Sequence, residues 1–198
     1  MVSFQFREWM SGAQSVAARG FTIIELMVTV AIIAILAMLA APSFNEAILS
    51  NKLASFANNF VASATLARGE AVKRNAVVTL CVVATDISKT CTTSGDWQQG
   101  WIVFNDINGD GILDESITDP AAPSLRETLI YRQQAFSADY KLTGAVKNIA
   151  FQSVGAGATA ATLKLCRATP TAGSQERDIR ISATGRVSVA KTTTGVCP

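Results

Sequence analysis

The chain has 198 residues, of which 49% are hydrophobic and 16% charged, with a net charge of +2. That near-neutral balance gives no general electrostatic case for binding nucleic acid or anionic lipid, so a basic site has to be a local patch. Four cysteines without a Cys-x-x-Cys, and no histidine, argue against zinc and leave acid–base catalysis to carboxylates or lysine. The length suits one domain plus an anchor.

Residues 1–20 carry Arg7, Glu8 and Arg19 and lack a long apolar core. The small residue Gly20 precedes the apolar run instead of following it, the reverse of an ordinary secretory signal. From Phe21 to Ala41 the only ionisable side chain is Glu25, and the only other polar side chains are Thr22 and Thr29. A run of more than about 18 apolar residues predicts a membrane-spanning helix. A carboxylate near its start is costly in lipid and is a candidate functional group. Cleavage at Gly20 would leave the helix on the mature chain, with Glu25 as its fifth residue.

Pro42 is expected to interrupt the helix, because proline removes a backbone hydrogen bond. The pattern resumes at Ser43. Leu49, Leu53, Phe56, Phe60, Ala64, Ala67 and Ala71 recur at helical spacing and predict one buried stripe. Asn45, Lys52, Asn58, Asn59 and Ser63 are expected largely off that face. Lys73 and Arg74 lie where a helix dipole favours cations. A rod from Thr22 to Arg74 would be roughly 80 Å long at 1.5 Å per residue.

Beyond residue 75 the period changes. Strands are predicted at 76–83, 101–105, 128–132, 140–143, 148–152, 161–166, 177–182 and 186–189, separated by turn residues. Residues 118–124, with Pro120 and Pro123, read as a loop, and 155–159 as a small-residue turn. Antiparallel sheets after one helix make the fold class α+β. The organisation is a leader (1–20), a transmembrane helix (21–41), its amphipathic continuation (42–75) and a β-rich head (76–198). An even cysteine count on the exported side suits disulfides. Of three pairings, Cys81–Cys91 with Cys166–Cys197 is favoured, since it closes a short hairpin and pins the C-terminal tail. Trp101 and Phe104 are expected in the core, whereas Trp97 is expected in a turn, either exposed or capping a sheet edge.

Asp106, Asn108, Asp110 and Asp114 form the first half of a calcium-loop pattern, but Ile117 occupies the position of the bidentate glutamate. Lys164, Arg167, Arg177, Arg180, Arg186 and Lys191 form the one local basic concentration. No nucleophile motif or phosphate-binding loop is evident, so neither an enzyme nor a cofactor is expected.

Arg19-Gly20-Phe21-Thr22-Ile23-Ile24-Glu25-Leu26, followed by an apolar helix, resembles the class III signal of type IV pilins and type II secretion pseudopilins. The resemblance implies cleavage between Gly20 and Phe21 by a prepilin peptidase and N-methylation of Phe21. It also implies pairing of Glu25 with the Phe21 amine of a neighbouring pilin. Glu70-Ala71-Val72-Lys73-Arg74 at the helix end, Asp96-Trp97-Gln98-Gln99-Gly100-Trp101-Ile102-Val103-Phe104-x-Asp106 and the ending Gly185-Arg186-Val187…Cys197-Pro198 resemble the GspH/FimT group of minor pseudopilins. That group implies an inner-membrane, single-pass subunit with a periplasmic head, placed near the tip of a type IV pilus or a type II secretion pseudopilus. The FimT branch implies an alternative, DNA capture through a Gly-Arg-x-Arg motif, with Arg180, Arg186 and Lys191 as contacts here. This chain departs from that motif, with Ser188 in place of the second arginine.

Overall fold

A computed structural model describes residues 20–114, 126–170, 172–193 and 196–197. The expected leader up to Arg19 and the expected loop at 118–124 lie outside the described residues. The chain divides into two compact units, Met1–Ser43 and Phe44–Pro198. Helix α1, Ile23–Arg74, contributes to both. It is assigned without a break at Pro42, where the sequence predicted an interruption.

In the first unit residues 20–41 and Ser43 are exposed. Helix α1 is, among the described residues, the one helix long and apolar enough to cross a membrane.

The second unit contains the end of α1 and eight strands among the described residues. These are β1 (Val78–Val82), β2 (Gly100–Asn105), β3 (Leu129–Gln134), β4 (Tyr140–Gly144), β5 (Asn148–Phe151), β6 (Ala161–Arg167), β7 (Glu176–Ile181) and β8 (Val187–Thr192). They form two antiparallel four-stranded sheets, ordered β3-β2-β1-β5 and β4-β6-β7-β8. The architecture is α+β.

Helix α1 buries Leu49, Leu53, Ala57, Phe60, Ala64, Ala67 and Ala71 against both sheets. Phe56 is only partly buried and stacks on Phe136 with ring centroids 4.2 Å apart. Ser63, expected off the stripe, is buried. It donates to the Asn59 carbonyl and accepts from Trp101 Nε1 at 3.0 Å. A buried indole N–H needs an acceptor, and Ser63 is the helix position that supplies it.

Trp97 lies in a turn, as expected, but is fully buried in the core, which corrects the expectation that it is exposed or caps a sheet edge. A single 3-10 turn, Trp97–Gln99, rotates its ring inward. The ring meets Phe60 edge-on at 5.2 Å, and its Nε1 donates to the Val146 carbonyl. Gly100, next in the chain, has φ 108°. A Cβ there would fall 2.6 Å from the Gln133 carbonyl oxygen, so the close approach of β3 requires glycine.

Strands β1 and β2 are buried on both faces. One face joins the helix core, and the other forms a second cluster of Cys81, Val83, Ile102, Phe104 and Leu113. This explains their unbroken apolar sequences, since alternation is lost when neither face meets water. Disulfide Cys81–Cys91 lies at this second cluster, and disulfide Cys166–Cys197 ties the tail to β6.

The end of α1 is a Schellman motif. Asn75 has φ 51°, its N–H donates to the Val72 carbonyl, and the Ala76 N–H donates to the Ala71 carbonyl. Lys73 and Arg74 both pair with Glu70.

Candidate functional site

The first turn of α1 holds Glu25 through a reciprocal set of bonds with Thr22. The Thr22 backbone N–H and hydroxyl both donate to Glu25 Oε2, at 3.0 and 3.1 Å, and the Glu25 N–H donates back to Thr22 Oγ1 at 3.2 Å. This is a capping box, which satisfies free amides at the helix start and puts a negative group at the positive end of the dipole. Phe21 is 84% exposed, and Gly20 beside it is exposed as well. Gly20, Phe21 and Glu25 thus lie within six residues of chain around the helix start. Among the described residues no cation pairs with Glu25.

The acidic loop after β2 is occupied with its own backbone. Asn108 Oδ1 accepts from the Asp110 N–H, Asp110 Oδ1 accepts from the Ile112 N–H, and Asn108 Nδ2 donates to Asp110 Oδ2. Asp106 points into the protein, where Oδ2 accepts from the Thr79 hydroxyl and Oδ1 is buried without a hydrogen bond. Asp114 offers its N–H to Glu127 Oε2. Asp106 therefore serves the interior, while Asn108 and Asp110 serve their own turn. Among the described residues no group of three or more histidine, cysteine or acidic side chains is disposed to hold a metal.

Glu127, which the sequence did not single out, closes this loop. It is buried, and its two oxygens accept the N–H groups of Ile107 and Asp114. Burial pushes its carboxyl above the ordinary value, and the negative charge of Asp106 adds to that, against the pull of the backbone donors.

The basic residues of the second sheet do not form one patch. Alternation along β7 puts Arg177 with Ile179 and Ile181 on the core face, and Glu176, Asp178 and Arg180 on the other. Lys191 lies opposite Arg177 in the ladder and Ser188 opposite Arg180, so Lys191 and Arg180 are on different faces. Arg177 is buried and donates to the Ser50 hydroxyl and to the Glu176 carbonyl. Burial lowers its guanidinium below the ordinary value. Lys164 pairs with buried Glu176 at 3.1 Å.

Of the set, Arg180 and Arg186 alone line one shallow hollow, together with Thr162, Ser182 and Ser188. Arg186, expected at the start of a strand, sits in the turn before β8. There its N–H is held by Ser182 Oγ and its carbonyl accepts from the Ser182 N–H.

Two further polar anchors escaped the sequence reading because their partners are distant in the chain. Glu46 accepts from Ser174 and Gln175, and these bonds, with Arg167 and Lys191 nearby, hold its carboxyl below the ordinary range. Glu176 receives Lys164, the Thr192 hydroxyl and the Val196 N–H.

A family model described as type II transport protein GspH matches residues 57–185. The chain belongs to the GspH family. A second model, the prokaryotic N-terminal methylation motif, matches residues 17–41, which include Gly20, Phe21 and Glu25. No curated protein matches the chain.

Among solved structures, the type IV minor pilin FimU of Pseudomonas aeruginosa aligns at 20% identity over 71% of this chain and 90% of that one, with a TM-score of 0.50. The minor pseudopilin EpsH of the Vibrio cholerae type 2 secretion system aligns at 11% identity over 70% and 95%, with a TM-score of 0.43. The likeness to FimU shows a shared fold. This GspH-family chain thus carries an N-terminal methylation motif on an apolar helix and shares the fold of FimU.

Proposed function

We propose that this GspH-family chain is an inner-membrane-anchored minor pilin or pseudopilin subunit that enters a filament, near its tip, through the charge on Glu25. In this reading a prepilin peptidase cuts between Gly20 and Phe21, and Phe21 is N-methylated. The head lies in the periplasm. Glu25 of the incoming subunit then pairs with the Phe21 amine of a subunit already assembled.

The observation that carries the reading is the state of Glu25. It is the one ionisable side chain between Phe21 and Ala41, and among the described residues Thr22 is its hydrogen-bonding neighbour while no cation is. Such a carboxylate is costly in lipid, and a neighbour's amine supplies the missing charge.

Breaking a buried ion pair costs about 3–5 kcal/mol. Glu25→Ala should therefore remain in the membrane and be processed, while its recovery in sheared filaments drops to background. Recovery at the wild-type level would contradict the reading. The same helix logic serves a type IV pilus and a type II secretion pseudopilus. Neighbouring genes, other minor pilins with an adhesin or a secretion operon, distinguish the two machines.

A second reading, capture of DNA, draws support from the hollow shared by Arg180 and Arg186. Lys191 is on the other face of the sheet and drops out of that site. An electrophoretic shift at low salt that is lost in Arg186→Ala and falls steeply with salt would favour it. Equal weak binding by both proteins would remove it.

A further inference from the structure

The loop after β2 carries an asparagine whose chemistry is separate from assembly through Glu25. An asparagine side-chain amide is open to attack by the backbone nitrogen of the next residue. The ring that forms contains atoms of those two residues alone, so no distant group has to be brought up. Three local conditions govern the attack. The next residue must not obstruct it, its N–H must be free, and water must reach the site.

Eight asparagines stand in the chain, and only Asn108 precedes a glycine. Asn45, Asn51, Asn58 and Asn59 lie in α1, where the following N–H is committed to the helix. The Ala76 N–H, after Asn75, donates to Ala71, and the Asp106 N–H, after Asn105, donates to Val77. Asn148 opens β5, which pairs with β1 along its length.

Asn108 and Gly109 meet all three conditions. Both are exposed, and a Cβ placed on Gly109 would meet nothing within 4 Å. Among the described residues the Gly109 N–H makes no hydrogen bond. The chain on either side is held, so this one peptide is left free between fixed points. The Ile107 N–H donates to Glu127 Oε1, the Ile112 N–H donates to Asp110 Oδ1, and the Gly111 carbonyl accepts the Cys91 N–H. The Asn108 side chain bends back along the Gly109 peptide, since its Oδ1 accepts the Asp110 N–H at 3.1 Å. That donor sits on the oxygen where negative charge develops when the amide carbon is attacked. The nitrogen that must leave, Nδ2, lies 2.9 Å from Asp110 Oδ2. The adjoining Asp110-Gly111 pair is unlike it. Gly111 is buried beside Cys91, and a carboxylate repels a nucleophile.

We propose that Asn108-Gly109 is a self-modifying site, which water converts to aspartate and isoaspartate without an enzyme. The Gly109 nitrogen gives its proton to solvent and bonds to Asn108 Cγ. The Cγ–Nδ2 bond breaks, and Nδ2 takes up a proton and leaves as ammonia. A cyclic imide remains, and water opens either of its carbonyls. One opening gives aspartate at 108. The other gives isoaspartate, in which the backbone runs through the side-chain carbon. One water is consumed and one ammonia released, with no change of oxidation state. Each conversion adds a negative charge to a chain of net charge +2 and removes the Nδ2 donor from Asp110. Ammonia is lost to solvent, so the product accumulates with the age of the subunit.

The full-length chain, purified in detergent, is held for days in heavy-oxygen water at mildly alkaline pH. Samples are digested and sequenced by mass spectrometry with electron-transfer fragmentation, which separates aspartate from isoaspartate. Position 108 should gain heavy oxygen and give both products, about tenfold or more faster than any other asparagine. Gly109→Ala should slow conversion at 108 by about tenfold, because a side chain there displaces the attacking nitrogen. Aspartate as the sole product, a rate at 108 no greater than elsewhere, or Gly109→Ala converting like the wild type would each overturn the site. None of these outcomes bears on Glu25, whose own variant tests the assembly reading.

Discussion

Glu127 is a carboxylate under two opposed influences. Backbone N–H groups of Ile107 and Asp114 favour its charged form, while burial and the neighbouring Asp106 disfavour it. The net displacement is upward, and its sign fixes the pH behaviour. A carboxyl with a raised folded-state value contributes stability that is fully present below the ordinary value of 4.5. That contribution is lost as pH rises through the raised value. Glu127→Gln has no such titration. The stability of the wild type minus that of Glu127→Gln should therefore decline as pH rises from about 4 to 7. Urea unfolding of both proteins across that range measures it. A difference that grows with pH would mean that the backbone donors outweigh burial.

At the scale of elements, the helix stripe and the strands were legible, because each leaves a period in the sequence. Leu49, Leu53, Phe60, Ala64, Ala67 and Ala71 follow helical spacing, and each predicted strand core falls on an observed strand within one to three residues at its ends. Positions settled by a partner far along the chain were not legible. Ser63 looks like a solvent-facing residue until Trp101, 38 residues on, brings its N–H to it. Trp97 looks like an exposed turn residue until the 3-10 turn points its ring at Phe60. The basic set looked like one patch because a list of residues does not say which face each occupies; the β7–β8 register does. Ser63→Ala should cost about 1–3 kcal/mol, the expense of an unsatisfied buried donor. Asn59→Ala, exposed one turn earlier, should stay within about 0.5 kcal/mol. Chemical denaturation ranks the two, and equal effects would remove Ser63 from the core.

At the scale of the whole molecule, the two disulfides stabilise by different means, and their removal should separate those means. Chain-closure entropy favours the longer loop. A separation of 31 residues for Cys166–Cys197 against 10 for Cys81–Cys91 corresponds to about 3.7 against about 2.7 kcal/mol. Burial argues the other way. Cys81 is fully buried and packs with Ile102, Phe104 and Leu113, so replacing that pair by alanine also leaves a cavity. Cys166 is buried too, and Cys91 and Cys197 are each partly buried, but Cys91 packs against that cluster whereas, among the described residues, neither Cys166 nor Cys197 belongs to one. A cavity term of about 1–3 kcal/mol exceeds the entropy difference. Cys81→Ala/Cys91→Ala should therefore unfold at the lower denaturant concentration. Cys166→Ala/Cys197→Ala should be milder globally but local in its signature. The Val196 N–H, released from Glu176, should exchange with solvent far faster, while amides of β1 and β2 keep their protection. Hydrogen exchange read by mass spectrometry reports both. A reversed order of stability would make chain closure, not packing at the second cluster, the dominant contribution of the disulfides to this head.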